Sequence, residues 1–229
     1  MKFEIKPFGH DAVVFNFGSE VSIDIHHVVK KVYEGLRLRA FSGVRAVIPS
    51  YTEVTVLFEP SKLNVLIISG FINEILLDKS VNTIRQNIIE IPVCYDQKFG
   101  VDLNYVSEYT SLELEEVIHL HTQVDYLIYM LGFVPGFLYL GGMDKRLFVP
   151  RKKTPKLKVP SGSVGLADKQ TGIYPFEIPG GWQIIGQTPI DMLSLNENHI
   201  QMGNLIRFTP ITNNEFESYN KPIKKVKAK

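Results

Sequence analysis

The segment from Tyr129 to Pro189 reads YMLGFVPGFLYLGGMDKRLFVPRKKTPKLKVPSGSVGLADKQTGIYPFEIPGGWQIIGQTP and constrains the fold more than any other part of the chain. Its 61 residues hold 10 of the chain's 17 glycines and 7 of its 13 prolines. Glycine permits backbone angles that cost other residues energy, and proline fixes φ, so this density predicts a closely prescribed backbone. Large apolar and aromatic side chains alternate with these residues, which excludes a flexible linker. We therefore expect binding or catalytic residues in this segment.

Composition is that of an ordinary globular protein. The chain has 229 residues, of which 45% are hydrophobic, enough to fill the core of one large domain or two small ones. The formal net charge of +1 gives no general attraction to nucleic acid or to an anionic membrane, so neither is an expected partner. The start of the chain lacks the pattern of a signal peptide, and we expect a cytoplasmic protein. Cys94 is the only cysteine, which excludes an internal disulfide and argues against a thiolate zinc site.

The sequence predicts two domains and a tail. In residues 1–90, strand and helix patterns follow a βαββαβ order closed by a strand at Ile88–Tyr95, which is the ferredoxin-like arrangement. In residues 91–215, many short strands separated by glycine and proline predict an antiparallel barrel or sandwich. Residues 216–229 contain five lysines and little to bury, and we expect a basic, disordered tail. The predicted fold class is therefore α+β.

A short predicted helix just before the glycine-rich segment carries two histidines. His121 shares one helix face with Leu114, Val117 and Ile118, whereas His119 lies on the opposite face and is expected to be solvated. Two interpretations of His121 stay open. It is either a hydrogen-bonded core histidine or a proton donor or ligand contact beside the glycine-rich segment. The two histidines do not form a metal site, because positions two apart on a helix point in different directions.

Familiar catalytic motifs are absent from the sequence. It has no Gly-Lys-Ser or Gly-Lys-Thr phosphate loop and no Gly-x-Gly-x-x-Gly after a strand. The run SGSVG departs from the nucleophile elbow, which argues against Ser161 and Ser163 as nucleophiles.

Trp182 is either a core residue or a stacking platform. The basic stretch from Arg151 to Lys158 is either a solvated loop or a docking site for a carboxylate, a phosphate or an acidic partner surface.

Three motifs carry a family resemblance: GFVPGFLYLGG at 132–142, VPSGSVGLADKQTGIYP at 159–175 and PGGWQIIGQTP at 179–189. In order and spacing they resemble the family of the KipI antikinase and the PxpB subunit of bacterial ATP-dependent 5-oxoprolinase. This family is related to allophanate hydrolase subunit 1 and to the carboxyltransferase region of urea carboxylase. The resemblance implies a ferredoxin-like amino-terminal domain followed by a cyclophilin-like β-barrel.

The resemblance also implies an activity and partners. It predicts the PxpB-type subunit of an ATP-dependent complex that opens the lactam of 5-oxoproline to L-glutamate, a hydrolase subunit that is inactive alone. The implied partners are a PxpC/KipA-type and a PxpA-type subunit, with ATP required at the level of the complex and no metal-ligand set in this chain. The alternative is a KipI-type inhibitor of sensor histidine kinase autophosphorylation.

Candidate site residues follow from the positions that match the family's motifs. The resemblance implies His121 as an acid, base or polariser and Gln170 as a binder of the amide or carboxylate. Three positions depart from the family's usual residues: Lys156 and Gln187 replace arginines, and Ile178 replaces a serine. At Gln187 this change removes a planar donor pair suited to a carboxylate or phosphate. The expected substrate-binding residues are Pro135, Gly136, Phe137, Tyr139, Thr171, Tyr174, Gly180, Gly181 and Trp182.

Overall fold

A computed structural model describes residues 2–78, 86–195, 200–220 and 224–227 of the chain. The chain divides into two units, Met1–Ile84 and Arg85–Lys229. Within the described ranges, no helix combines the length and apolar character needed to cross a membrane.

The first unit is an antiparallel sheet with two helices. Alternate side chains of its central strands are buried, including Phe15, Val54 and Val56, as expected for a sheet with one covered face. The longer helix is capped by the Ser22 hydroxyl, which accepts a hydrogen bond from the Ile25 N–H at 3.2 Å. The elements are, in chain order, β1 (Glu4–Pro7), β2 (Ala12–Asn16), α1 (Ile23–Arg39), β3 (Val44–Pro49), β4 (Glu53–Phe58) and α2 (Val65–Leu77).

The sheet of the first unit corrects the expected ferredoxin-like arrangement. Its strand order is β1-β2-β4-β3. The predicted closing strand at Ile88–Tyr95 does not join this sheet, because those residues belong to the second unit. The edge beside β2 is occupied instead by β1, which turns at Gly9 and pairs antiparallel from Glu4↔Asn16 to Pro7↔Val13. The chain therefore folds here in the order ββαββα rather than βαββαβ.

The second unit contains many short strands, as its glycine and proline content predicts. A 3₁₀ turn at Lys145–Leu147 lies between its third and fourth strands. The elements are β5 (Asn87–Cys94), α3 (Leu103–Thr110), α4 (Leu114–Thr122), β6 (Asp125–Leu131), β7 (Leu138–Gly141), β8 (Lys156–Val159), β9 (Ser163–Ala167), β10 (Gln170–Ile173), β11 (Ile178–Gly180), β12 (Gln183–Gln187), β13 (Leu205–Ile211), α5 (Asn213–Glu217) and β14 (Lys224–Lys227).

Seven of the described strands close into a barrel, which confirms the predicted barrel in the second half of the chain. Their order is β12-β9-β10-β7-β6-β13-β5, and β5 returns to β12 through the pair Gln187↔Cys94. Neighbouring strands are antiparallel except β5 and β13, which run parallel from Ile88↔Leu205 to Cys94↔Ile211. The expectation of an all-antiparallel barrel is thus wrong at this pair. Strands β8 and β11 form a separate two-stranded sheet.

Alternation along the barrel strands separates two hydrophobic clusters. Leu138 and Leu140 of β7 belong to the barrel core, whereas Phe137 and Tyr139 belong to a second cluster together with Trp182. The barrel core contains, from its strands, Ile89, Ile91, Val93, Tyr126, Ile128, Leu138, Leu140, Val164, Leu166, Ile173, Ile185, Ile206 and Phe208. The second cluster comprises Phe137, Val159, Ala167, Tyr174, Trp182 and Ile184, with Val134, Tyr139 and Ile178 packed against it.

The carboxyl-terminal tail differs from the expected disordered segment. Thr212 forms a capping box with Glu215 at the start of α5. Strand β14 then pairs antiparallel with β5, from Lys224↔Glu90 to Lys227↔Asn87. Strand β5 pairs with β12 only at Cys94, so the backbone N–H and C=O groups in the first half of β5 are available to pair with β14. Residues 221–223 and 228–229 of the expected tail lie outside the described residues.

Candidate functional site

A pair of glycines creates the surface on which the candidate site is built. Gly165 of β9 and Gly172 of β10 lie directly opposite each other. A Cβ at Gly172 would lie 2.8 Å from the Trp182 ring, and a Cβ at Gly165 would lie 3.0 Å from the Trp182 Cβ. The indole therefore occupies space that any side chain at these positions would take, and Trp182 is only 6% exposed.

Aromatic rings surround this tryptophan. Phe137 lies edge-on to both Trp182 and Tyr174, with centroid distances of 5.4 and 5.2 Å and interplanar angles of 89°. Tyr139 approaches Trp182 at 6.1 Å with an interplanar angle of 67°. Edge-to-face packing is the arrangement that ring quadrupoles favour. Trp182 is therefore a packed residue of the second cluster, and its role as a stacking platform stays a prediction.

A cavity of about 210 Å³ opens beside these rings in the second unit. Its walls are mostly aromatic side chains, prolines and a glycine pair, and two cationic residues contribute to the lining. The lining residues are Phe133, Phe137, Tyr139, Arg151, Lys152, Pro155, Tyr174, Pro179, Gly180, Gly181 and Trp182.

The two glycines of the lining have different roles. A Cβ at Gly180 would overlap the hydroxyl and ring of Tyr174, whereas a Cβ at Gly181 would come no closer than 3.6 Å to another atom, Pro155 Cγ. The Tyr174 hydroxyl in turn accepts a hydrogen bond from the backbone N–H of Trp182. Gly180 is therefore required for the close approach that places Tyr174 in the wall.

Both tyrosines of the cavity remain protonated at neutral pH. Burial raises the pKa of Tyr174 to about 12, and the hydrogen bond from Trp182 and the charge of Arg151 only partly oppose this shift. Burial also raises the pKa of Tyr139, again against the charge of Arg151. The phenols can therefore act as hydrogen-bond donors but not as bases.

Lys152 is held by neighbouring groups. Its Nζ lies 2.6 Å from Asp102 Oδ1 and donates to Gln183 Oε1 at 2.9 Å. The other carboxylate oxygen of Asp102 accepts the Ile184 N–H at 2.8 Å, which ties this network to β12. The Lys152 side chain is 15% exposed, so its charge is compensated inside the protein rather than by solvent.

Arg151 is bound much more loosely. Its Nε donates to Asp168 Oδ2 at 3.1 Å, and the two side chains are 57% and 55% exposed. Exposed ion pairs of this kind contribute roughly 0–1 kcal/mol. Asp168 lies in the β9–β10 turn with φ of 54°, a left-handed conformation that Asp tolerates. The guanidinium can therefore exchange this carboxylate for another anion at low cost.

Phe133 is a further part of the lining that is held in an unusual conformation. Its φ is +70°, and 68% of the residue is exposed although it is large and apolar. Its ring lies edge-on to Phe137, at 5.8 Å and 85°. Such backbone geometry costs a non-glycine residue roughly 1–2 kcal/mol. An exposed aromatic ring at the mouth of a cavity offers apolar surface that a ligand can cover.

His121 lies in the barrel core instead of the cavity. It is fully buried, with Nδ1 2.8 Å from the Tyr95 hydroxyl and Nε2 2.9 Å from the Thr171 hydroxyl. The Thr171 hydroxyl donates to the Gly165 carbonyl at 3.1 Å, so it accepts from Nε2–H, and Nδ1 accepts from Tyr95. Burial lowers the pKa of His121 to about 3, which keeps it neutral. This placement supports the core interpretation, and the catalytic role that the family resemblance implies for His121 stays a prediction.

The comparison with known proteins agrees with the barrel architecture. The family model for the carboxyltransferase domain, subdomains C and D, matches residues 3–202. The chain belongs to this family. A Bacillus subtilis protein named as the B-type subunit of 5-oxoprolinase is 36% identical over 236 residues, covering 96% of this chain and 97% of that protein. The resemblance inferred from the three sequence motifs is therefore confirmed.

Two solved structures have the same fold. The structure of TTHA0988 is 29% identical, with a TM-score of 0.76, and the match covers 89% of this chain and 40% of that one. Kluyveromyces lactis urea carboxylase has a TM-score of 0.78 at 16% identity, over 98% of this chain and 24% of its own. The chain thus spans less than half the length of these two relatives. At this identity, the urea carboxylase likeness concerns the fold alone.

The family motifs predict part of the cavity. The predicted residues that line it are Phe137, Tyr139, Tyr174, Gly180, Gly181 and Trp182. The predicted residues that do not line it are His121, Pro135, Gly136, Gln170 and Thr171. Sequence reasoning missed Phe133, Pro155 and Pro179 as lining residues. For Arg151 and Lys152, the only signal in the sequence is their membership of the basic stretch.

The three departures from the family pattern have structural partners outside the cavity lining. Gln187 Nε2 donates to the Ser161 carbonyl at 2.6 Å, and Lys156 Nζ lies 3.6 Å from Asp102 Oδ1. Ile178 pairs with Val159 in the two-stranded sheet. Among the described side chains, no group of three or more His, Cys, Asp or Glu is arranged to hold a metal ion.

Proposed function

We propose that this chain is the PxpB-type subunit of an ATP-dependent 5-oxoprolinase, which opens 5-oxoproline to L-glutamate together with PxpA-type and PxpC/KipA-type subunits. The observation that carries the proposal is the 36% identity, over 96% of the chain, to the Bacillus subtilis 5-oxoprolinase subunit. That similarity covers both units of the chain. It therefore goes beyond a shared barrel, which alone would say little about activity. Since the reaction consumes ATP, we place the complex in the cytoplasm.

We assign the aromatic cavity as the contribution of this subunit to the active site. Rings, phenol donors and cations around a small volume suit a compact polar ligand. His121 and Thr171 act as positioning residues, because their hydrogen bonds end on the carbonyl of Gly165 beneath Trp182. Gln170 remains a candidate contact, since alternation along β10 places it on the same face as Gly172.

Reconstitution tests the proposal. The purified chain is mixed with the PxpA-type and PxpC/KipA-type proteins of the same organism, and 5-oxoproline-dependent ATP hydrolysis and glutamate are measured. We expect glutamate from the full mixture only, with each omission abolishing it. A full mixture that hydrolyses no ATP in response to 5-oxoproline contradicts the proposal. The kinase-inhibitor alternative stays a prediction, and autophosphorylation of a sensor histidine kinase at saturating chain tests it.

A further inference from the structure

Two small molecules of the proposed reaction, ATP and the lactam acid, are candidate ligands of the aromatic cavity. The cavity of about 210 Å³ is lined by the side chains of a few aromatic residues, prolines and two cations. A five-membered lactam with one carboxylate matches this lining, because it combines a flat ring, an amide and one anionic group. A triphosphate is commonly held by a cradle of backbone N–H groups, and the sequence has neither of the two common phosphate-binding loops. The lining of the cavity therefore favours the lactam acid over ATP.

We infer that this cavity binds the lactam acid itself and that Arg151 recognises its carboxylate. The identity of the ligand rests on the proposed function, whereas the choice of Arg151 rests on the contacts of the cavity. Phe137, Tyr139 and Trp182 give the cavity an aromatic wall against which a flat amide ring can pack. Phenol donors at the same wall can bond to the amide oxygen, because burial keeps them protonated.

The two cations of the cavity are not equivalent. Lys152 already contacts a buried carboxylate, Asp102, and an amide oxygen of Gln183, so two of its three N–H groups are engaged and its charge is compensated inside the protein. Arg151 donates through Nε to the solvent-exposed carboxylate of Asp168. Its remaining N–H groups form the planar fork that matches a carboxylate. The substrate carboxylate therefore competes with Asp168 and not with Asp102.

Phe133 completes the cavity on the solvent side. Its ring is exposed and edge-on to Phe137, and its left-handed backbone conformation places it among the lining residues. A bound lactam ring would cover apolar surface of Phe133 that is otherwise in water, and this burial favours binding. The ligand thus lies between the aromatic wall and Phe133, with its carboxylate at Arg151.

Three matched variants in the reconstituted complex test the inference. Arg151→Gln should raise the KM for 5-oxoproline about tenfold or more, since charge-assisted hydrogen bonds are lost, with kcat and the KM for ATP within about twofold of wild type. Asp168→Asn keeps a side chain that tolerates the left-handed turn and frees Arg151, so it should lower the same KM about two- to fivefold. Lys158→Gln removes an exposed charge of the same basic stretch that does not line the cavity, and it should change neither value.

Opposite shifts for Arg151→Gln and Asp168→Asn cannot arise from a merely structural role. Trp182 is the chain's single tryptophan, and its unchanged emission spectrum in the isolated variants verifies that the cavity is intact. An unchanged KM for 5-oxoproline in Arg151→Gln, or a raised KM for ATP instead, overturns the inference. In either case glutamate formed by the wild-type complex leaves the proposed function standing. A wild-type complex that forms no glutamate refutes the proposed function itself.

Discussion

Tyr95, His121 and Thr171 form a polar chain inside an otherwise apolar barrel. Each ring nitrogen of His121 has a hydrogen-bond partner, and the chain ends on the Gly165 carbonyl. The ring also stacks on Phe208 at 4.5 Å. A histidine in this setting contributes shape and fixed hydrogen bonds, and its titration is suppressed. Residue type alone left both a core role and acid–base chemistry open here, and complete burial favours the core role.

Replacement of His121 should destabilise the protein strongly. His121→Ala leaves a cavity and removes the partners of two buried hydroxyl groups, so we expect a loss of roughly 2–4 kcal/mol of unfolding free energy. The matched control is His119→Ala on the other face of the same helix, which should change stability by less than about 0.5 kcal/mol. Denaturant unfolding of both variants measures the difference. Equal stabilities would contradict the structural role of His121.

Stability should depend on pH through His121 with a defined sign. The pKa falls from 6.5 in the unfolded chain to about 3 in the folded protein. The stabilisation is fully present above pH 6.5 and is lost as pH falls towards 3, because only the unfolded state then binds the proton. The slope for one such group is at most about 1.4 kcal/mol per pH unit. His121→Gln does not titrate, so its stability deficit relative to wild type should shrink between neutral and acidic pH. Parallel curves would disprove this assignment.

The β9–β10 hairpin is the element on which the cavity depends. Its opposed glycines accept Trp182, and a Cβ at Gly172 would also lie 2.6 Å from the Leu138 carbonyl oxygen. We expect Gly172→Ala to cost roughly 1–3 kcal/mol and to shift the Trp182 emission, since overpacking displaces the indole. Gly132→Ala is the control, because a Cβ there meets nothing within 4 Å. Unfolding curves and emission spectra report both effects, and identical behaviour of the two variants would rule out this packing role.

Sequence patterns predicted the β9–β10 hairpin better than the residues that pack around it. The density of glycine and proline indicated a prescribed backbone, and the family motifs contained the aromatic residues of the cavity. The patterns could not show that Arg151 and Trp182 line the same cavity, because these residues are far apart in sequence. Helical spacing placed His121 on the buried face of α4 correctly. It could not show which side chains lie across from that face.

At the scale of the whole molecule, β5 explains why the amino-terminal domain does not have the predicted ferredoxin-like arrangement. Apolar residues with strand propensity predict a strand at this place whichever sheet receives it. The alternatives differ only in long-range pairing, which here joins β5 to β13, more than 100 residues later. The domain boundary that the sequence predicts, at residue 90, would cut this strand. The structural boundary lies before it, between Ile84 and Arg85.

Two fragments test the division into units. A fragment of residues 85–229 should unfold cooperatively and retain the Trp182 emission of the full chain, because it contains all the barrel strands and all the cavity residues. A fragment of residues 95–229 lacks β5 and leaves β12 and β13 without a shared neighbour. We expect it to lose cooperative unfolding. A cooperative transition in the shorter fragment would contradict the need for β5 in the barrel.

The parallel pairing of β5 with β13 also sets an order of events during translation. The ribosome releases β5 before its barrel partner at Leu205–Ile211, which is made more than 100 residues later. The amino-terminal unit has all its strands by Phe58 and can fold on the nascent chain. The barrel cannot close until β13 has emerged. Strand β5 therefore stays without its parallel partner while all the strands between them are made, and its apolar residues are exposed to other nascent segments during that interval.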